Sequence, residues 1–270
     1  MDLSSLKIGI IGCGNMGRAL IKGLTSVPQA PRLTVWDPLA DCRNRLAEEF
    51  KLINIASDNQ TLVNDNAIII LAVKPQIIDP VMAEIKNALN PDKMLISIAA
   101  GIPCHRLEQA LPLAIPTIRI MPNTPALINR GISAIAAGRH AGPGHLENAA
   151  AIFTCLGETV FVPESAMDMV TAVSGSGPAY VFLVIEALLD AAVGLGMARE
   201  LARKLVLETL LGATELVKQS GRHPMELKDM VTSPGGTTIA GLAELEKNGL
   251  RHAFNEALRS ACRRSQELGG

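Results

Sequence analysis

Along the N-terminal part of the chain, short apolar runs of strand length alternate with segments whose apolar residues recur at helical spacing. Ile8–Ile11 is one such run, Leu33-Thr34-Val35-Trp36 a second, and Ile53-Asn54-Ile55 a weaker third. Ala67–Val73 is apolar without interruption, the pattern of a central parallel strand covered on both faces. Met94–Ala99, Thr117–Met121, Ile132–Ala137 and Thr159–Val162 follow. Between these runs the periodicity predicts helices after the first strand and at 40–50, 77–89, 103–111 and 144–156. Strands separated by helices form βαβ units, so the expectation is a doubly wound α/β sheet of about eight strands.

The pattern changes near Pro163, and beyond it no strand is legible. A helical region begins at Asp168–Val173. Pro178–Leu195 reads as a long helix that is apolar nearly all round, and Arg199–Gln219 as a second, stopped by Gly221 and Pro224. Thr237–Glu246 and Leu250–Leu268 close the chain. This shift in pattern divides the sequence into an α/β domain at 1–164 and an all-helical domain at 165–270. A helix that is apolar on every side is buried on every side. A domain of about 105 residues is too small to do this alone, so a second subunit is expected to cover it.

Composition narrows the picture further. Hydrophobic residues make up 48% of the 270 positions but aromatics only 3%, so the core is built from Ala, Leu, Ile and Val. That suits parallel strands and closely packed helices. The net charge is −1 with no basic block, which argues against nucleic acid or an anionic membrane as partner. The five cysteines, Cys13, Cys42, Cys104, Cys155 and Cys262, are scattered and lack C-x-x-C spacing. No zinc site or other metal site and no disulfide framework are expected, and a reducing cytoplasm fits. Met1-Asp2-Leu3-Ser4-Ser5 has neither the basic nor the apolar region of a signal peptide. Ala179–Leu195, the most apolar segment, is interrupted by Glu186 and Asp190 and is short for a membrane span.

The first strand runs directly into Gly12, Gly14 and Gly17 in G-x-G-x-x-G spacing, with a helix after them. Gly12 allows a tight turn, Gly14 lets a pyrophosphate approach the backbone, and Gly17 lets the helix pack close to the strand. The helix N-terminus presents free N–H groups and a positive dipole end to the phosphates. Asp37 closes the second strand, about 20 positions on, where an acid meets the ribose of a dinucleotide.

Three further loops follow strands: Ala72-Val73-Lys74-Pro75-Gln76, Ala99-Ala100-Gly101 and Met121-Pro122-Asn123-Thr124-Pro125. Each contains the Pro or Gly that merely ends a strand. Taken together at one sheet edge beside the glycine turn, they outline a cofactor cleft. In the helical half, Ser174-Gly175-Ser176-Gly177-Pro178 has the composition of a helix N-cap, with Ser174 or Ser176 capping. Ser233-Pro234-Gly235-Gly236-Thr237-Thr238 forms either a nest of N–H groups and hydroxyls suited to a small carboxylate, or a helix connection capped by Thr237.

Together the motifs Gly-Cys-Gly-Asn-Met-Gly at 12–17, Ala-Val-Lys-Pro at 72–75, Met-Pro-Asn-Thr-Pro at 121–125, Ser-Gly-Ser-Gly-Pro-Ala-Tyr at 174–180, His-Pro at 223–224, Leu-Lys-Asp at 227–229 and Ser-Pro-Gly-Gly-Thr-Thr at 233–238 resemble those of pyrroline-5-carboxylate reductase. The resemblance runs in order from about residue 7 to 268. It implies a Rossmann-type N-terminal domain, a C-terminal dimerisation domain, and reduction of the C=N bond of 1-pyrroline-5-carboxylate to L-proline, the last step of proline biosynthesis. It also implies NADP(H) or NAD(H) as cofactor, a homodimer through the C-terminal helices, and further assembly into a decamer of five dimers.

Carried over by position, the resemblance implies cofactor contacts at Ile11, Gly12, Cys13, Gly14, Asn15, Met16, Asn59, Ala72, Val73, Lys74, Pro75, Ala99 and Ala100. Glu164 matches a substrate-side position. The imino acid carboxylate falls to the turn of Ser233, Gly235, Gly236, Thr237 and Thr238. A polar cofactor contact of some relatives falls at Met230 and is not transferred.

A protonated cyclic imine is already a good hydride acceptor, so positioning and electrostatics carry most of the catalysis. Thr238 is expected to hydrogen-bond the ring nitrogen, with the nicotinamide over the loops at Val73 and Asn123. Lys74 is a candidate general acid, but a solvated lysine is a reluctant proton donor at neutral pH, which favours a positioning role. Asp37 favours NADH, Arg43 and Arg45 lie near enough in sequence to offset it, and both cofactors are expected to work. Two rivals share part of this plan. A β-hydroxyacid-dehydrogenase-like reductase would carry a lysine at 174–184, where this chain has none. A non-enzymatic NAD(P)-sensing module would have no need of the turn at 233–238.

Overall fold

The computed structural model describes residues 3–269. The chain divides into two compact units, Met1–Ser176 together with Ser260–Gly270, and Gly177–Arg259. The change in sequence pattern at 164 therefore precedes the change in compactness. The residues just after 164 still pack on the sheet: Met167 is fully buried against Ala134 and Ala136. The chain end returns to the same unit, where Ser265 Oγ donates to Asp168 Oδ1 at 2.7 Å.

The first unit is an eight-stranded sheet. Its elements are β1 (Lys7–Ile11), α1 (Asn15–Ser26), β2 (Arg32–Trp36), α2 (Ala40–Glu49), β3 (Ile53–Ile55), α3 (Asn59–Asp65), β4 (Ile68–Leu71), α4 (Ile78–Ile85), β5 (Met94–Ser97), α5 (Cys104–Gln109), β6 (Thr117–Met121), β7 (Gly131–Ala137), α6 (Pro143–Phe153), β8 (Gly157–Phe161) and α7 (Met167–Val170). The strand order is β3-β2-β1-β4-β5-β6-β7-β8. All neighbours pair in parallel except β6 and β7.

Alternate residues of the central strands feed two cores. Ile8, Ile10, Ile68, Ile70 and Ile96 pack with Leu20 and Leu24 of α1 and with Phe153 of α6. Ile69, Leu71 and Leu95 pack with Leu62 of α3 and with Ile78 and Ile85 of α4. Burial on both faces explains why these strands are apolar without alternation. The winding direction switches between β1 and β4. Crevices at such switch points, outside the carboxyl ends of the strands, are where ligands bind in open α/β sheets. The glycine turn and the loops after β4, β5 and β6 all leave the sheet at that edge.

Two local expectations are corrected. Helix α3 has no counterpart in the sequence reading. It is short, and its start is set by Asp58, whose carboxylate accepts the Thr61 N–H at 2.7 Å. Ser174 does not cap a helix. Its hydroxyl donates back to the Val170 carbonyl at 3.0 Å, within a π-helical turn at Thr171–Gly175. The chain is already helical there, so no N-terminus exists for either serine to cap.

The second unit holds α8 (Gly177–Gly194), α9 (Arg199–Ser220), α10 (Pro224–Met230), α11 (Thr237–Lys247) and the first part of α12 (Leu250–Gly269). Helix α8 has no buried residue in the single chain, and Phe182 and Leu183 are 58% and 64% exposed. Helical residues extend back to 164, so the run 164–194 is long and apolar enough to cross a membrane by length and composition. The sequence reading counted only from Ala179 and judged it short.

Candidate active site

The glycine turn is built as its spacing requires. Gly12 has φ +96°, and a Cβ there would lie 2.7 Å from both the Ala72 carbonyl oxygen and Val73 Cγ1. A Cβ on Gly17 would overlap the Gly12 carbonyl oxygen. Both glycines are thus demanded by the protein's own packing. Gly14 is different. A Cβ on it would meet nothing within 4 Å, and its φ of −66° is open to any residue. It stands at the N-cap of α1, which has no side-chain cap. The first N–H groups of the helix, on Asn15, Met16 and Gly17, therefore have no intrahelical partner. A helix N-terminus with free N–H groups and clear space in front of it fits a pyrophosphate.

Asp37 holds this turn from the end of β2. Its Oδ2 accepts the Cys13 N–H at 2.9 Å, and its Oδ1 accepts the Leu39 N–H at 3.0 Å. Sequence reasoning placed Asp37 at a ribose and missed this second role. Cys13 is buried, its N–H is engaged by Asp37, and burial followed by the nearby Asp37 charge pushes its thiol up to about 12. Such a thiol is not a nucleophile at neutral pH.

A cavity of about 480 Å³ opens beside the turn. It brings together Ile11, Gly12, Gly14, Asp37, Asn59, Ala72, Val73 and Lys74, residues that lie up to 63 positions apart (74 minus 11). The structure adds Trp36, Asp58 and Glu84 to its walls, none of which sequence reasoning singled out. Lys74 is exposed and precedes a 3₁₀ turn begun by Pro75. A second hollow of about 560 Å³ on the α1–α2 side is lined by Cys13, Gly14 and Asn15 together with Arg18 and Arg45. Met16 is half-buried against the core.

The remaining residues of the first unit sit apart from that cavity wall. Ala99 is buried in the core and Ala100 is half-buried. Gly101, with φ +76°, is needed because a Cβ there would lie 2.9 Å from Leu268 Cβ. Asn123 Oδ1 accepts the Ile132 N–H at 3.0 Å and so pins the start of β7. Glu164 Oε1 accepts the Cys104 N–H at 3.0 Å and pairs with Arg119 at 3.2 Å. Asp168 flanks the same guanidinium at 3.6 Å. Arg119, on β6, is 4% exposed. This ion pair ties β6, the start of α5 and the segment after β8 together. Its signal in the sequence was a lone arginine in an apolar strand, a position that demands a buried acid.

In the second unit, Gly235 has φ +69° and Gly236 forms the N-cap of α11. The Gly236 N–H donates to the Ser233 carbonyl at 3.1 Å, and a Cβ on Gly236 would collide with Ser233 Oγ. Thr237 is the first helical residue, so it does not cap; the cap position is taken by a residue with no side chain. The N–H groups of Thr237 and Thr238 lie in the first turn of α11 and lack intrahelical acceptors. Thr237 is exposed and Thr238 half-buried. This is a carboxylate-sized cluster of donors at the positive end of an eleven-residue helix. Among the described residues, no group of three or more His, Cys, Asp or Glu is placed to hold a metal ion.

Comparison with known proteins bears on both units. Residues 164–268 match a family profile described as pyrroline-5-carboxylate reductase dimerisation, and residues 7–101 match one described as NADP oxidoreductase, coenzyme F420-dependent. A pyrroline-5-carboxylate reductase of Synechocystis sp. is 46% identical over 269 residues, covering 98% of this chain and 99% of its own. The crystal structure of a Plasmodium falciparum pyrroline carboxylate reductase with NADP bound superposes with a TM-score of 0.89 at 35% identity, covering 99% of this chain and 100% of its own. The pyrroline-5-carboxylate reductase of Coxiella burnetii has a TM-score of 0.91 at 33% identity, covering 98% and 99%.

Proposed function

The chain belongs to the pyrroline-5-carboxylate reductase family, and we propose that it reduces 1-pyrroline-5-carboxylate to L-proline with NADP(H) as hydride source. One observation carries the reading: similarity at 46% identity over nearly the whole length of a named reductase, with both family profiles in the expected halves. That full-length match sets aside the β-hydroxyacid-dehydrogenase-like and the non-enzymatic alternatives.

The fit to the cofactor rests on this chain's own turn. Gly14 keeps a space that no other part of the protein needs, in front of unpaired helix N–H groups. Those N–H groups and the walls at Ile11, Gly12, Ala72, Val73 and Lys74 would hold the dinucleotide. When bound, the dihydronicotinamide supplies a hydride to the imine carbon. We assign the imino acid carboxylate to the donors at Ser233–Thr238, with the Thr238 hydroxyl on the ring nitrogen. Lys74 orients the cofactor through its charge and does not donate the proton. We take NADH to serve alongside NADPH. Glu164 is paired with Arg119, and we read its substrate-side role as secondary to that ion pair.

We also assign the assembly. The exposed apolar surface of α8 and the dimerisation profile support a homodimer through the 177–259 unit. Five such dimers forming a decamer is the finer reading. The dimer also supplies the cover for the run 164–194, so the protein is a soluble enzyme, and its free cysteines suit the cytoplasm. The test is direct. Purified protein should consume NAD(P)H only when pyrroline-5-carboxylate is added, and form proline. Absence of both, in protein that light scattering shows to be oligomeric, refutes the reading.

A further inference from the structure

The last turn of α12 docks on the loop after β5. Ser265, Leu268 and Gly269 share one helix face, since Leu268 and Gly269 follow Ser265 at i+3 and i+4. A Cβ on Gly101 would lie 2.9 Å from Leu268 Cβ, and a Cβ on Gly269 would lie 2.8 Å from the Gly101 carbonyl oxygen. That packing fixes the phase of the helix, and the phase leaves Ser265 only 3% exposed. A buried hydroxyl needs an acceptor. Ser265 Oγ finds it in Asp168 Oδ1, at 2.7 Å.

Asp168 is also a competitor for Arg119. Glu164 and Asp168 stand at i and i+4 of one helical run, a spacing that sets two like charges side by side. Among the described residues, Arg119 is the cation that pairs with both. Its Nη1 donates to Glu164 Oε1 at 3.2 Å. Its Nη2 lies 3.6 Å from Asp168 Oδ1, too far for a hydrogen bond, and is buried without a hydrogen-bond partner among the described residues. The guanidinium is thus committed to Glu164, while Asp168 takes its short bond from Ser265. Glu164 Oε1 accepts the Cys104 N–H as well, at 3.0 Å. Glu164 Oε2 is buried and has no hydrogen-bond partner among the described residues, so it is the oxygen open to a ligand. Remove the Ser265 hydroxyl and Asp168 Oδ1 loses its donor, with the unpartnered Arg119 Nη2 beside it as the replacement. Charge-assisted bonds are the strong ones, so the guanidinium turns toward Asp168 and away from Glu164.

We propose that Ser265 is a positioning residue for the imino acid: by engaging Asp168 it leaves the Arg119 guanidinium to Glu164, and so holds the Glu164 carboxylate on the substrate side. The proposal rests on the substrate-side reading of Glu164 above. It adds the C-terminal turn of α12 to the scaffold of the site.

The KM for pyrroline-5-carboxylate and kcat are measured at saturating NADPH. The Kd for NADPH is read from the fluorescence of Trp36, the single tryptophan of the chain, which lines the nucleotide cavity. Ser265→Ala raises KM about fivefold, the worth of one hydrogen bond. It leaves kcat and the NADPH Kd within about twofold of the wild type, because a contact made in the bound ground state is what loosens. Adding Asp168→Asn weakens the competing acceptor and brings KM back to within about twofold of the wild type. A merely structural role gives the reverse, since losing a second anchor deepens the first loss. Wild-type KM in Ser265→Ala overturns the proposal, as does a double variant no better than the single one, or a loss that falls equally on kcat and the NADPH Kd. Where Ser265→Ala unfolds by circular dichroism, Asp168→Asn is read alone: an unchanged KM supports the proposal and a raised one overturns it. A wild type that forms no proline refutes the activity reading, and this proposal falls with it. An active wild type with an indifferent Ser265→Ala refutes the proposal alone.

Discussion

Replacing Gly14 by alanine separates what the fold needs from what a ligand needs. The added methyl meets no protein atom within 4 Å, and the backbone angles of φ −66° and ψ −170° are ordinary for alanine. Alanine stiffens the unfolded chain, worth about 0.4–1 kcal/mol of stability. It is a poorer N-cap than glycine by a similar amount. The two effects nearly cancel, and Tm should move by no more than about 2 °C. Nucleotide binding should not be spared, because the methyl occupies the space in front of the α1 N–H groups. A loss of at least about tenfold in affinity, roughly 1.4 kcal/mol, is expected. Gly17→Ala gives the opposite profile. Its methyl overlaps the Gly12 carbonyl oxygen, so α1 must shift from β1, at a cost of about 1–3 kcal/mol in stability. Both variants are melted by circular dichroism and titrated with NADPH while following Trp36. A Gly14→Ala protein that binds NADPH with the wild-type Kd would refute the assignment of the turn.

Thr238→Ala should lower kcat/KM by more than about tenfold, at least ~1.4 kcal/mol of transition-state stabilisation, while Tm holds because the hydroxyl makes no hydrogen bond among the described residues; unchanged kinetics would sink that role. Arg119→Leu leaves Glu164 and Asp168 facing one another without their cation. Because those carboxylates are 30% and 28% exposed, the cost should be about 2–3 kcal/mol, below that of a fully buried pair, and a shift under about 1 kcal/mol in denaturant unfolding would show that the pair is solvated. Asp58 is held below the usual carboxylate range chiefly by the Thr61 N–H. Its stabilisation is therefore present above the unfolded pKa of about 3.9 and is lost as pH falls through the lower folded value. Asp58→Ala should melt below the wild type at neutral pH, with the gap closing in acid; a gap independent of pH contradicts this. The Cys13 thiol, pushed up to about 12, should resist alkylation at pH 8 in native protein, read by mass spectrometry.

The sheet was legible because its information is local. Ile68–Leu71 and Met94–Ile96 are apolar on both faces, and only a strand covered from both sides tolerates that. The glycine spacing was legible as a short motif, although the contact that demands Gly12 is with Ala72 and Val73, about 60 positions on. Helix α3 was not, since seven residues carry too little periodicity to stand out and its start depends on one carboxylate. Asp37 was recognised by position, yet its bonds to Cys13 and Leu39 needed the turn to be built. The sequence left Arg43 and Arg45 free to neutralise Asp37. The tertiary structure turned one onto an indole ring and the other toward a different hollow, because helix phase, and not distance along the chain, decides where a long side chain goes. Likewise Arg119 met Glu164 and Asp168 across 45 and 49 positions, a partnership that no local pattern encodes. What the chain determined by itself was which stretches must be covered and which turns need glycine. Only the folded structure decided which charges face one another, because that depends on elements whose separation in sequence says nothing about their separation in space.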